Sequence, residues 1–241
     1  MIHGAHRMKI YKKKRHIWTA LLTFLIPIAI LFVFGGVAHI DFGELAVVLG
    51  VSFARLVVSY AVALVIGVFL GILLGSHKWG ENALPVFDVF QNLPSFALIP
   101  LFALLFGYTS GMAVIFAATS IVWPIFFYTA SALRTARTDW NEAASIFGAT
   151  GWKRVTHYLI PLSFPAVITG SIVGISIGWE AIIGIELIGR LRGIGTFIDA
   201  ASSAHSTETV AAAIIAILAL VFILNKAVWS PLIKYTSHYA E

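Results

Sequence analysis

The sequence predicts an all-α integral membrane protein with six transmembrane helices. Of its 241 residues, 59% are hydrophobic and only 11% are charged, and the apolar residues fall into six long runs. A soluble domain has about 25% charged residues, so this chain lacks the polar surface that water requires. Because a spanning helix needs roughly 20 apolar residues, six spans occupy about half of the chain and leave no room for a separate catalytic domain of ordinary size.

The first predicted span covers residues 17–38 and follows a basic segment, residues 1–16, that carries six Lys and Arg residues. This order is also typical of a signal peptide, but the apolar run exceeds the roughly 7–15 residues of a signal h-region, so we expect a retained span. Residues 43–52 are interpreted as an interfacial approach to the second span. The remaining spans are predicted at residues 55–76, 84–106, 112–133, 163–187 and 210–229.

The distribution of Lys and Arg predicts the orientation of the chain. With the N-terminus in the cytoplasm, 13 of the 16 basic residues lie on the inner side, and only Arg55, Arg190 and Arg192 lie on the outer side. Positively charged loops prefer the cytoplasmic side, so both termini are expected to be cytoplasmic. The same rule accounts for the net charge of +5, and we therefore expect no nucleic-acid partner. One domain, residues 17–241, is predicted after the basic cytoplasmic tail.

Two spans contain glycines spaced four residues apart. Residues at this spacing share one helix face and form a flat stripe that another backbone can approach closely. We expect the stripes to pack within the molecule, and the alternative is a subunit interface or a moving gate. The glycines are Gly67, Gly71 and Gly75 in the second span and Gly170, Gly174 and Gly178 in the fifth.

The third span contains two prolines, Pro94 and Pro100. Each proline removes an amide donor, so the carbonyl groups four residues earlier, including that of Phe96, are expected to lose their helical partners. Gln91 and Asn92 add polar side chains beside this point. Two interpretations remain open: a kink satisfied by neighbouring helices, or a discontinuous helix that lines a solute path.

The fifth span carries two carboxylates, Glu180 and Glu186. They are six residues apart and point about 240° apart around a helix, so they do not form a paired acid–base site. Glu180 lies deeper and is the stronger candidate for a pathway or gate residue. The alternative is a buried ion pair with an arginine such as Arg55. Glu186 is expected near the outer interface and is a second candidate.

The sequence predicts no catalytic residue, metal site or cofactor in this chain. The pattern G-x-S-x-G at residues 174–178 lies inside a predicted continuous helix, where it cannot form a nucleophile elbow. The chain has no cysteine, no H-E-x-x-H pattern and no G-x-x-x-x-G-K-[ST] loop. Any ATP chemistry must therefore come from another polypeptide.

The loop between the fourth and fifth spans, residues 138–161, carries the strongest pattern. Asp139 is predicted to cap a helix, with Glu142 reaching back in a capping box. Gly148 then ends or bends this helix, and a second helix over residues 151–160 is predicted to stop at Pro161. The apolar residues of the first helix follow i, i+3, i+4, i+7 spacing and form one face: Trp140, Ala143, Ala144 and Phe147. Such a helix pair is well shaped to dock in a groove of another protein, and the alternative is a hairpin resting on lipid headgroups.

The loop resembles the EAA loop of ABC importer permeases, whose pattern is E-A-A, three residues, G, nine residues, I-x-L-P. Here Glu142-Ala143-Ala144 is followed after three residues by Gly148, and after nine more by Tyr158-Leu159-Ile160-Pro161. Tyr158 stands where the family has Ile, and Ile160 where it has Leu. Both replacements keep apolar or aromatic character at packing positions.

The resemblance extends over residues 52–229 and is closest to the permeases of nitrate, sulfonate, taurine and bicarbonate importers. The residues that carry it include 52–55, the second-span glycines, 92–94, 98–101, 106–107, 178–186 and 193–195. In that family one acidic residue usually precedes the Gly193-Ile194-Gly195 stretch, and Glu186 matches it. Glu180 is an additional acid, which departs from the pattern.

This resemblance implies a MetI-like ABC importer permease fold, in a multi-pass protein of the inner membrane that usually forms a homodimer with a second copy. It also implies two copies of a cytoplasmic ABC ATPase, which bind ATP and Mg, and an extracytoplasmic solute-binding protein. The implied solute is a small organic or inorganic anion such as a sulfonate, nitrate or bicarbonate. The implied coupling residues are Glu142, Ala143, Ala144, Phe147, Gly148 and Pro161, and the candidate pathway residues are Gln91, Asn92, Pro94, Pro100, Glu180 and Glu186.

Other functions remain open at this point. A channel or secondary transporter without an ATPase would explain the spans but not the spacing of the loop. An intramembrane enzyme would need clustered catalytic groups, whereas the candidates are isolated. Within the permease interpretation, the solute could instead be an osmolyte, an amino acid or a vitamin precursor.

Overall fold

The computed structural model describes residues 41–92 and 94–237, and throughout this part of the chain the regular structure is helical. The predicted first span and the basic segment before it lie outside the described residues. The first half contains α1 (Phe42–Gly75), α2 (Gly80–Gln91), a 3₁₀ turn (Ser95–Leu98), α3 (Ile99–Phe106), α4 (Ser110–Arg134) and α5 (Thr138–Ile146). The second half contains α6 (Gly151–Arg154), a π-helical turn (Val155–Leu159), α7 (Ile160–Gly189), α8 (Ile194–Ser203), α9 (Thr207–Leu224), a second π-helical turn (Asn225–Trp229) and α10 (Ser230–Ser237).

Within the described residues, four helices are long and apolar enough to cross a membrane. They are Phe42–Gly75, Ser110–Arg134, Gly151–Gly189 and Thr207–Thr236. Gly80–Gln91 and Ser95–Phe106 form a further pair that meets at an angle of 80°, as a broken span or a re-entrant loop. Each of the five predicted spans in the described part therefore has a helical counterpart. The total of six spans and the orientation remain predictions.

Helix α1 is longer than expected because its capping residue lies well before the predicted span. Asp41 accepts hydrogen bonds from the backbone N–H groups of Gly43 (2.8 Å) and Glu44 (3.2 Å), which fixes the start of the helix. The segment interpreted as an interfacial approach, residues 43–52, is part of this helix. With 34 residues, α1 is about 51 Å long, so it extends beyond a hydrocarbon core of about 30 Å.

Both glycine stripes pack against α4, which confirms the prediction of intramolecular packing. On one side, a Cβ atom at Gly71 would lie 2.5 Å from Cβ of Thr129, and one at Gly67 would lie 2.9 Å from Cβ of Ile125. On the other side, a Cβ atom at Gly170 would lie 2.9 Å from the carbonyl oxygen of Pro124. Gly75, Gly174 and Gly178 continue these two contacts along α4. The backbones of α1 and α7 therefore approach α4 at distances that only glycine permits.

The third predicted span is discontinuous in the structure, and its role in lining a solute path stays a prediction. The chain leaves α2 at Gln91, passes Pro94 and restarts as a 3₁₀ turn followed by α3. As expected, Pro100 offers no N–H group to the carbonyl of Phe96, but this carbonyl accepts the N–H of Ile99 instead. Pro100 lies in the first turn of α3, where the N–H group that proline lacks would have no helical partner anyway.

The close packing on α4 predicts different outcomes for two glycines of the same helix. We expect Gly71→Ala to destabilise the protein by about 1–3 kcal/mol, because its methyl group must displace Thr129 in a packed interface. Gly50→Ala is the matched control, since nothing lies within 4 Å of the corresponding Cβ position, and it should be neutral or stabilising by up to about 1 kcal/mol. Thermal unfolding of both variants in detergent checks this. Equal unfolding temperatures would contradict the packing described here.

Candidate functional site

The predicted coupling helix exists as α5, but its N-terminus differs from the prediction. The residue before the helix is Arg137, and among the described side chains none accepts a hydrogen bond from the first-turn N–H groups. The capping box expected between Asp139 and Glu142 is therefore wrong. Asp139 instead forms a salt bridge with Arg137 (2.9 Å), and both side chains are exposed.

Gly148 ends α5 in a Schellman motif. The N–H of Ala149 donates to the carbonyl of Ala144 (2.9 Å), and the N–H of Gly148 donates to the carbonyl of Ser145 (3.0 Å). This motif requires a left-handed residue after the helix, and Gly148 supplies it with φ of +71°. The spacing from Ala144 to Gly148 therefore has a local physical cause: glycine closes the helix and turns the chain toward α6.

The second helix does not stop at Pro161, which corrects the sequence prediction. Residues Gly151–Gly189 form one continuous helix that carries the chain from the loop into the fifth predicted span. The π-helical turn absorbs the disruption, because the N–H of Ile160 donates to the carbonyl of Val155, five residues earlier. Pro161 directly follows this turn, where the change in hydrogen-bond spacing accommodates a residue without an N–H group.

The two helices of the loop form a groove with a volume of about 650 Å³, which we call the coupling groove. Trp140 and Phe147 remain 47% and 89% exposed in it. Arg154 donates a hydrogen bond to the Oδ1 atom of Asn141 (3.2 Å), which ties the second helix to the first. The lining residues are Trp140, Ala143, Ala144, Phe147, Gly148, Ala149, Lys153, His157 and Tyr158.

The coupling groove contains four of the six predicted coupling residues: Ala143, Ala144, Phe147 and Gly148. Glu142 and Pro161 do not line it. The prediction omitted Lys153, His157 and Tyr158, which come from the second helix. The sequence pattern did point to Tyr158, since this residue occupies an apolar position of the EAA motif. The coupling groove is therefore an exposed concave surface with several aromatic side chains. Its basic residues, Lys153 and His157, lie on the wall formed by the second helix.

The break in the third span is stabilised by polar side chains that fold back onto α2. Gln91 donates a hydrogen bond to the carboxylate of Asp88, and Asn92 donates to the backbone carbonyl of Asp88 (2.7 Å). A cavity of about 110 Å³ lies beside the break. Its polar lining includes Gln91 and the hydroxyl groups of Ser95 and Ser120, whose oxygens are 3.5 Å apart. The break therefore borders a small space with hydrogen-bonding groups.

The two carboxylates of α7 occupy opposite environments. Glu186 is completely buried and pairs with Arg55 at 2.6 Å, whereas Glu180 is exposed. Glu186 was expected near the outer interface, where a charge costs little, but its side chain is enclosed by protein. The alternative prediction was a buried ion pair between Glu180 and an arginine such as Arg55. Arg55 does form a buried ion pair, but its partner is Glu186.

The carboxylate of Glu186 is held by three donors from two helices, α1 and α8. The hydroxyl of Ser52 lies 2.7 and 2.9 Å from its two oxygens. The N–H of Gly195, in the first turn of α8, donates to Oε2 (3.0 Å). A side chain at Gly193 would collide with the same carboxyl group. Positions 193 and 195 therefore require glycine because the start of α8 rests on this carboxylate.

Arg55 extends the cluster to two further segments. Its Nη1 atom also donates to the carbonyl of Arg192 (2.8 Å), and its Nη2 atom donates to the hydroxyl of Ser110 at the start of α4 (2.9 Å). One guanidinium group thus joins α1, α4, α7 and the turn before α8. The sequence pattern includes Ser52, Arg55 and the glycines, but it does not show that these residues surround Glu186.

The buried pair predicts that the two carboxylates respond differently to the same substitution. We expect Glu186→Gln to destabilise the protein by about 3–5 kcal/mol, because it leaves Arg55 buried without a counter-charge. Glu180→Gln is the matched control and should change stability by less than about 0.5 kcal/mol, since its side chain is exposed. Denaturant unfolding in detergent measures both values. A similar loss for the two variants would contradict the assigned partners.

Comparison with known proteins identifies the family to which this architecture belongs. The family model described as binding-protein-dependent transport system inner membrane component matches residues 63–228. The nitrate import permease protein NrtB of Synechocystis sp. is 33% identical over 167 residues, which are 68% of this chain and 60% of that protein. The taurine transport system permease protein TauC of Escherichia coli is 24% identical over 178 residues, or 73% and 65% of the two chains.

A third relative, the bicarbonate transport system permease protein CmpB of Synechococcus elongatus, is 27% identical over 179 residues, or 73% of this chain and 64% of that protein. The matches to these three relatives thus span somewhat less than two thirds of the relatives' own length. The family model, in contrast, matches more than half of this chain and includes α4, the coupling groove and α7. The chain therefore belongs to the family of binding-protein-dependent transport system inner membrane components, a family of multi-pass membrane proteins.

Proposed function

We propose that this chain is the transmembrane permease subunit of an ABC importer and that separate cytoplasmic ATPase subunits bind its coupling groove. The observation that carries the proposal is the exposure of Trp140 and Phe147 in a concave surface. Exposed aromatic side chains in a groove are typical of surfaces that another protein covers. The basic residue Lys153, on the wall formed by the second helix, adds a charge that can orient an acidic partner.

The coupling groove is connected to the membrane by a continuous helix. The wall formed by Gly151–Arg154 continues through the π-helical turn into α7, over 39 residues in total. In the proposed mechanism, ATP binding brings the two ATPase subunits together, and the groove moves with them. Because ATPase contacts differ between the two states of the permease, they shift the equilibrium between inward-open and outward-open forms.

We further propose that the exposed face of α7, which carries Ser176 and Glu180, lines the solute path between two copies of the chain. Ser176 and Glu180 lie four residues apart and are both exposed. A carboxylate within a span faces water or protein and not lipid. The discontinuous span borders the same helix, because the ring of Phe96 packs against Gly184. Gln91, Asn92, Pro94 and Pro100 thus remain candidate path residues at this break, whereas Glu186 acts as a positioning residue for α8.

The proposed solute is a small organic or inorganic anion, delivered by an extracytoplasmic binding protein. The names of the relatives support this class, since they refer to nitrate, taurine, bicarbonate and aliphatic sulfonates. An osmolyte, an amino acid or a vitamin precursor is the alternative within the same transport function.

The proposed ATPase contact predicts a selective loss of partner binding. We expect Phe147→Ala to reduce co-purification of the ATPase from native membranes at least tenfold, because it removes the most exposed aromatic group of the groove. Trp152→Ala is the matched control: Trp152 is also highly exposed, at 76%, but does not line the coupling groove. Gly148→Val should act like Phe147→Ala, because valine opposes a φ of +71° and displaces the turn. Normal ATPase recovery with both groove variants would contradict the proposal.

The proposed solute path predicts a transport defect without a folding defect. Glu180→Gln should lower ATP-dependent uptake of radiolabelled nitrate, bicarbonate or taurine, whichever the wild-type importer accepts, by at least tenfold. ATPase co-purification should stay unchanged, because the side chain is exposed and distant in sequence from the coupling groove. Glu44→Gln, an exposed acid in the first turn of α1, serves as the control. Unaltered uptake by Glu180→Gln would remove this residue from the path.

A further inference from the structure

Four aromatic rings line the small cavity at the break of the third span, which we call the break cavity. Its volume is about 110 Å³. The rings of Phe90 and Trp123 are nearly parallel, with centroids 6.4 Å apart, and the rings of Phe102 and Phe116 meet edge to face at 5.5 Å. The face of an aromatic ring is electron-rich and attracts a cation, and tryptophan attracts it most strongly. The aromatic lining therefore favours a positively charged group over an anion.

The polar groups around the break cavity are mainly acceptors. The hydroxyl groups of Thr119 and Ser120 donate to backbone carbonyl groups one turn earlier in α4, at 2.9 and 3.3 Å. Gln91 donates an amide hydrogen to the carboxylate of Asp88. These bonds occupy donors and leave lone pairs of all three side-chain oxygens as acceptors. Among the described lining residues none is Lys, Arg or His, so an anion would lack the charged donors that replace its lost hydration.

Glu180 adds a negative charge on the face of α7 that borders the break. Ile177 lines the break cavity, and the ring of Phe96, just after the break, packs against Gly184. Residues 177, 180 and 184 are three and four positions apart in one helix, so they share a face, and Glu180 lies about 4.5 Å along the axis from Ile177. The carboxylate is exposed, and it forms no salt bridge within the described residues. Its charge is therefore available to a cation in or beside the cavity.

We propose that the break cavity binds an ammonium group of the transported solute and that Glu180 supplies the counter-charge. This proposal rests on the proposed function, in which the solute passes along the exposed face of α7. The anionic group of the solute stays outside the cavity, so the solute is a zwitterion such as an amino sulfonate or a betaine. Nitrate and bicarbonate carry no ammonium group and gain nothing from the aromatic rings.

Two pairs of probes test the proposal by titration of the full chain in detergent, with binding followed by saturation-transfer NMR. Taurine is paired with propanesulfonate, and glycine betaine with tert-butylacetate. In each pair the second compound keeps the acidic group and the shape but has a hydrocarbon group in place of the ammonium group. We expect the ammonium compound of at least one pair to bind at least tenfold more tightly than its hydrocarbon analogue, because only a cation is attracted by the rings and by Glu180.

Variants of the cavity locate the bound group. Trp123→Leu should weaken binding of the ammonium compound at least fivefold, and Trp123→Phe, which keeps an aromatic face, should restore most of this affinity. Trp79→Leu is the matched control, since Trp79 is 51% exposed and does not line the break cavity. Glu180→Gln should weaken binding of the ammonium compound and leave the affinity of its hydrocarbon analogue unchanged.

Equal affinities within both pairs, no binding of any probe, or an equal loss with Trp123→Leu and Trp79→Leu would overturn the proposal. Recovery of the ATPase from the same native membranes is scored separately. Normal ATPase recovery without a preference for the ammonium compounds would reject the role of the break cavity and keep the proposed transport function. Absence of the ATPase would instead reject the transport function, and a preference for the ammonium compounds would then describe a binding site without transport.

Discussion

The close approach of two helix backbones to α4 is the constraint on which the rest of this structure depends. Inside a bilayer, burying apolar side chains gives little net gain, because lipid tails are equally apolar. Helices must instead gain stability from dispersion contacts, which require backbones to come close. The two glycine stripes provide this on two faces of α4 that share Ile125. The outward faces of α1 and α7 are then available for lipid, solute or a second copy.

The buried ion pair acts at the other end of the same three helices. Arg55 belongs to α1, Glu186 to α7, and Ser110 begins α4, so one hydrogen-bonded cluster joins the elements that the glycines pack together. The cluster also receives the N-terminal amide of α8 through Gly195, where the helix dipole favours a carboxylate. Glycine packing fixes the spacing of the helices, and the ion pair fixes their register at this end. Together they make the core a rigid unit.

Several features that depend on neighbouring residues in the chain could be predicted from the sequence, although the equally local capping box of Asp139 and Glu142 was wrong. The spacing of the glycines and the break at Pro94 are local properties, and both appear in the structure. The spacing from Ala144 to Gly148 is also local, because a Schellman motif involves six consecutive residues. Predictions failed where the partner is distant. The burial of Glu186 depends on Ser52 and Arg55, more than 130 residues away, and on a backbone amide of α8. The prediction that the second helix stops at Pro161 was wrong, because the π-helical turn before it accommodates the proline without ending the helix.

The π-helical turn at Val155–Leu159 has a consequence for how the sequence of this region can change in length. A π turn contains one residue more than an α-helical turn of similar rise, and it commonly marks the insertion of a single residue into a helix. Loss of one residue at this turn would restore ordinary α-helical hydrogen bonding and leave the segments on either side close to their present orientation, because the wide turn holds its extra residue within about the same rotation. The coupling groove would then keep its direction relative to the span. The wide turn thus lets this region differ in length by one residue while the surface offered to a partner stays aligned with the transmembrane core.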